Sequence, residues 1–168
     1  YKLKDQAPQM LEGLPKTVSD FGVGVSYTFD SRDFMLNASR GWFMQLDLTA
    51  NPTFLGNNNT YWSAELQLAT YRKAWRGAII AGELHTRQST GQVPWPMLAD
   101  VGSSNRMRGY YEGRYRDKNV IDAQVELRQH IWHRNGIALW LGAAEVFHRY
   151  SDMRFSRILP NAGVGYRW

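Results

Sequence analysis

From Phe21 onward the chain alternates apolar and polar positions with a period of two, the pattern of strands whose faces meet different surroundings. In the first such stretch, residues 21–29, Phe21, Val23, Val25, Tyr27 and Phe29 share one face, and Gly22, Gly24, Ser26 and Thr28 share the other. Six more stretches follow: 42–50, 61–72, 77–88, 120–132, 137–148 and a last one ending Ala162–Trp168. The apolar row is Trp42, Met44, Leu46 and Leu48 in the second stretch, and Trp62, Ala64, Leu66 and Leu68 in the third. In the fifth it is Ile121, Ala123, Val125, Leu127 and Ile131. The pattern predicts seven antiparallel strands.

Three features of the pattern decide what kind of sheet this is. The strands are about 9–13 residues long, beyond the ~5–6 usual in globular proteins and matched to a tilted bilayer crossing. Glu65, Glu83, Asp122, Glu126 and Arg128 sit in mid-strand on the non-apolar face, where a soluble core does not place charge. After the first connection, loops alternate between long (51–60, 89–119, 149–157) and short (73–76, 133–136). Transmembrane β-barrels have short periplasmic turns and longer external loops around a polar lumen. The fold class is therefore all-β, an antiparallel transmembrane β-barrel segment over residues 21–168, with 1–20 read as a loop or linker containing Pro8 and Pro15. Bacterial barrels have even strand numbers from eight upward, so seven strands and an abrupt start and finish predict a piece of a larger barrel. A soluble β-sheet binding module is the alternative, and it would bury the apolar rows under protein.

Composition sharpens this picture at a few points. The chain has 168 residues, seven Trp and nine Tyr. Trp42, Trp62, Trp75, Trp132 and Trp168 fall near strand ends, where a membrane barrel carries an aromatic girdle. Cysteine is absent, which removes disulfides, thiolate metal sites and cysteine nucleophiles. The net charge of +5 is spread over turns and strands, so no nucleic-acid partner is expected. His85, His130, His133 and His148 lack metal-ligand spacing, Ser103 and Ser104 lack a nucleophile context, and Asp122 with Glu126 reads as lumenal hydrogen bonding rather than catalysis. No enzyme, metal or cofactor is expected.

The 89–119 connection is too long to be a passive link. Tyr110, Tyr111 and Tyr115 alternate there with Arg106, Arg108, Arg114 and Arg116, groups that stack on one another and fork onto carboxylates. Met107-Arg108-Gly109-Tyr110, led by Gly102-Ser103-Ser104, resembles the Val-Arg-Gly-Phe/Tyr motif in the external loop of BamA/TamA-type outer-membrane proteins, the bacterial surface antigens. Asp30-Ser31-Arg32-Asp33 followed by Gly41 is similar to that family's periplasmic turn, and Asn119–Glu126 to its next strand, with an inward Glu.

The resemblance covers about residues 21–168 and implies seven strands of a sixteen-stranded barrel in the bacterial outer membrane. It implies insertion or translocation of proteins there, with the lipid bilayer and other outer-membrane or periplasmic proteins as partners. A barrel that anchors or exports a fused domain is a second functional reading. It also implies that the loop folds into the lumen with Arg108 on Glu126. The family's second carboxylate is replaced here by Gly142, leaving Glu145, three residues on, as the alternative partner.

Overall fold

The computed structural model describes residues 19–168; the linker expected over 1–20 thus falls almost wholly outside the described residues. Seven long strands form one sheet: β1 (Val23–Asp30), β2 (Gly41–Asn51), β3 (Tyr61–Lys73), β4 (Ala78–Gly91), β7 (Asn119–Trp132), β8 (Asn135–Phe147) and β9 (Leu159–Arg167). Two further strands, β5 (Ala99–Asp100) and β6 (Arg116–Asp117), pair only with each other inside the long loop. The sheet order is β1-β2-β3-β4-β7-β8-β9, every neighbour antiparallel, so the chain runs up and down without a crossover. The sheet is open, with β1 and β9 at its edges.

The registers carry the alternation across the sheet. Leu46 faces Leu66, Leu66 faces Thr86, and Thr86 faces Ile121 on one side. Glu65 faces Arg87, and Glu126 faces Ala81 and Trp140, on the other. Residues directly opposite in an antiparallel pair share a face, so each expected apolar row becomes part of one continuous apolar surface. That surface is uncovered: Val25 is 71% exposed, Leu141 69% and Val164 70%. A soluble module would hide such residues, and here they need lipid. All five expected girdle tryptophans are open as well, from 50% for Trp42 to 84% for Trp168.

The turns 31–40, 74–77 and 133–134 lie at one end of the sheet, and the connections 52–60, 92–118 and 148–158 at the other. The last short turn corrects one expectation. The short loop expected over 133–136 is tighter than that, because Asn135 and Gly136 already belong to β8. The bend is His133-Arg134, with His133 in the left-handed region at φ 49°.

Candidate functional site

The long loop folds back over the lumenal face of β7, β8 and β9. Its apolar seed is Met107, which is buried with Ala99, Val101, Val120 and Ala144, while Tyr110, Tyr115, Val146 and Leu159 pack around them. Val120, Ala144 and Val146 are apolar although they are on the lumenal face. The loop covers them and shields this stretch of the lumenal face.

Within the loop, the Val101 N–H donates to the Tyr115 carbonyl at 3.1 Å and the Ser103 N–H to Arg106 at 3.0 Å. Met107 has φ 48° and Gly109 φ 98°. Nothing lies within 4 Å of where a Gly109 side chain would start, so the backbone conformation rather than space calls for glycine there. Tyr110 meets Tyr115 edge-on at 5.8 Å and donates its hydroxyl to the Pro160 carbonyl at 2.7 Å.

These contacts deliver Arg108 to the wall. Its Nη2 donates to Glu126 Oε2 at 2.7 Å, and its guanidinium lies 4.5 Å from the Trp140 ring centre. Arg128 holds the other oxygen of the same carboxylate, with Nε 2.6 Å from Oε1. Glu126 is 5% exposed and is thus a buried carboxylate between two cations. The Gln124 amide donates to the Asn105 carbonyl at 3.0 Å, and Asn161 Nδ2 donates to the Arg108 carbonyl.

Glu145 does not join this group. It faces Ile121, on the opposite side of the sheet from Glu126, and accepts the Arg154 N–H at 2.8 Å. A shift of three residues along a strand changes the face, because the period is two. Gly142, by contrast, does lie on the lumenal face, opposite Gln124.

The turn motif is built from its two aspartates. Asp30 is held by Arg32, with Nη2–Oδ2 at 2.6 Å and Nε–Oδ1 at 2.9 Å. Asp33 accepts the N–H groups of Phe34 at 3.0 Å, Ser39 at 2.8 Å and Arg40 at 3.3 Å, together with the Ser39 hydroxyl. The Ser39 hydroxyl, aided by these N–H groups, keeps the Asp33 carboxyl well below the usual carboxylate range. Gly41 has φ 112° and sits directly against the Ser31 carbonyl and the Arg32 backbone, leaving no space for a side chain. Arg32 stacks 4.5 Å from the Phe43 ring and lines one polar cavity of about 240 Å³ with Arg108, Arg128, Glu83 and Glu126. Loop and turn, separated by more than 60 residues in sequence, meet at this cavity.

A second lumenal cluster went unnoticed in the sequence. His85 on β4 reaches Asp122 on β7 through Nδ1 at 2.7 Å and Glu65 on β3 through Nε2 at 3.0 Å. Arg106 of the loop stands 3.7 Å from Asp122, giving the loop a second cation on the wall. The signal was the shared inward phase of Glu65, His85 and Asp122. Of the residues around Arg108, Arg128 was legible as lumen-facing from its phase, whereas Trp140 and Asn161 did not stand out.

The uncovered apolar face, the charged inner face and the external loop folded onto it define a wall of an outer-membrane β-barrel. The chain belongs to the Omp85 superfamily, whose domain model matches residues 3–168. Among solved structures it is similar to BamA from Haemophilus ducreyi lacking POTRA domains 1-3, with a TM-score of 0.74 at 14% identity. That match covers 100% of this chain and 41% of the BamA chain in that structure, so this chain spans less than half of its length. No curated protein matches the sequence. At this identity the likeness speaks for the fold, while the family places the chain in the bacterial outer membrane.

Proposed function

We propose that this chain supplies the loop-bearing wall of an outer-membrane barrel that inserts or translocates proteins, and that the loop works as a lumenal latch held by Arg108 on Glu126. The observation carrying this reading is the 2.7 Å Arg108–Glu126 contact, made by an external loop that reaches the mid-strand lumenal face. The planar, permanently charged fork suits a carboxylate, and the drier surroundings beneath the loop strengthen the pair. The partners are the lipid bilayer and the polypeptides that pass or enter it. The residues assigned here hold and position; they carry out no bond chemistry.

The test is reconstitution of the full-length protein, with its accessory factors, in liposomes. The readout is the rate at which an unfolded outer-membrane protein acquires protease resistance or crosses the bilayer. Arg108→Ala is expected to slow that rate several-fold while the barrel itself stays folded. A wild-type protein that neither inserts nor translocates any polypeptide in this assay refutes the reading. An unchanged rate in the folded variant refutes the latch.

A further inference from the structure

We propose that the outer rim of the sheet at its short-turn end binds the phosphate headgroup of an anionic phospholipid in the periplasmic leaflet, through Arg72 and Arg76 bracketed by Trp42 and Trp75. Arg72 faces Ile80, which belongs to the outward row continued by Leu127 and Leu139. Its side chain therefore leaves the sheet on the lipid side. Two positions earlier on that face is Thr70, and opposite Thr70 is Trp42.

Beyond Arg72 the chain bends through residues 74–77. The bend is closed by the Ala74 N–H on the Ala78 carbonyl at 3.1 Å and the Ala78 N–H on Trp75 at 3.0 Å. Trp75 is drawn onto the outer face of β7, where its indole N–H donates to Gln129 Oε1 at 2.9 Å. Trp75 nevertheless remains 57% exposed.

Arg72 and Arg76 are exposed, and among the described residues neither lies within ion-pair distance of a carboxylate. The acids of this end, Asp30 and Asp33, are occupied inside their own turn. The next short turn adds Trp132, His133 and Arg134, all exposed. Cations without carboxylate partners among the described residues thus stand at the edge of an apolar surface, level with tryptophans that mark headgroup depth. The anions at that depth are lipid phosphates, which a guanidinium grips with two parallel hydrogen bonds. An acidic protein would meet cations at the lumenal mouth instead, and Arg72 does not face it.

The experiment uses the full-length protein in nanodiscs of phosphatidylcholine containing a minority of phosphatidylglycerol, with retained lipids counted by native mass spectrometry. Phosphatidylglycerol is expected to be enriched on the wild type. Each arginine changed to glutamine should lower that enrichment about fivefold, from the attraction of one basic residue to an anionic leaflet. Arg72→Lys with Arg76→Lys should keep most of the enrichment, and Arg157→Gln in a long loop should leave it unchanged. Equal retention of both lipids by the wild type overturns the proposal without recourse to any variant. So does undiminished enrichment in a heat-modifiable, folded R72Q/R76Q protein. Binding of soluble polyglutamate that is lost in R72Q/R76Q, with lipid preference unaltered, reassigns the rim to an acidic polypeptide and overturns it as well.

Discussion

Arg108→Ala removes three things at once: a charge-assisted hydrogen bond to Glu126, a stack on Trp140, and the lead that ties the loop to the wall. The hydrogen bond contributes about 1.5–3 kcal/mol and the stack about 0.5–2 kcal/mol. The Arg108 side chain is 32% exposed, so water recovers part of both, and Arg128 keeps one oxygen of Glu126 occupied. The expected net cost to loop docking is about 2–3 kcal/mol. Glu126→Ala should cost more, about 3–4 kcal/mol, because it leaves Arg108 and Arg128 together without their anion. Amide hydrogen exchange of the reconstituted protein reads the effect directly at Val101, Ser103 and Tyr110, whose N–H groups bond within the loop. Docking weakened by 2–3 kcal/mol speeds their exchange about 30- to 150-fold while leaving β4 and β7 protected. The double variant should fall short of the sum by about 1–2 kcal/mol, the coupling typical of groups in contact. Additivity within about 0.4 kcal/mol would refute the pair as the anchor of the loop.

Other substitutions probe the surroundings. His85→Ala strips Glu65 and Asp122 of the ring between them and should cost about 3–5 kcal/mol in urea unfolding from bilayers; a loss below about 1 kcal/mol would mean water replaces the ring without penalty. Because the folded-state pKa of Asp33 is depressed, its contribution to the turn is complete above the unfolded value of about 4 and is lost as pH falls through the lower folded value. The Ser39 amide signal should therefore hold steady down to about pH 4 and shift only below it, and a midpoint above pH 5 would contradict the hydrogen bonding seen. Gly142→Asp should speed exchange of the loop at least tenfold, since a side chain there meets Gln124 Cβ at 3.0 Å and the Ala123 carbonyl at 3.1 Å; slower exchange would show instead that a second carboxylate anchors Arg108.

The strands were legible because each had to present lipid on one side and the lumen on the other, and that requirement writes a period of two into the residues. Glu65, Glu83 and Glu126 gave away the inward face, since charge in mid-strand has no place against lipid. What one strand does not record is its offset against the next. Hence Glu65, His85 and Asp122 each read as an ordinary polar position, although the registers set His85 opposite Asp122 and diagonal to Glu65, where its ring bonds to both. Trp140 failed to stand out because β8 carries apolar residues on both faces, Leu139 and Leu141 outward and Trp140 inward, so its phase carried little information. Asn135-Gly136 has turn chemistry, but the bulge between His130 and Trp132 shifts the hairpin, and the bend falls on His133-Arg134.

Gly142 occupies the position where the family resemblance leads one to expect a carboxylate, and the geometry explains how the wall works without it. The Trp140 ring lies flat across Gly163 and Gly165, where a side chain at either position would strike it, at Gly163 most severely. This fixes the plane on which the Arg108 guanidinium rests. Two residues along β8, the missing side chain of Gly142 leaves a recess, with Met107 Sδ 3.5 Å from where a Cβ would sit. A carboxylate in that recess would displace the buried methionine that seeds the loop's packing. The wall therefore holds the loop by shape at Gly142 and by charge at Glu126, with Asn161 accommodating the Arg108 carbonyl. Two cations converge on one carboxylate, so Glu126 rather than Arg108 is the position on which the proposed latch depends.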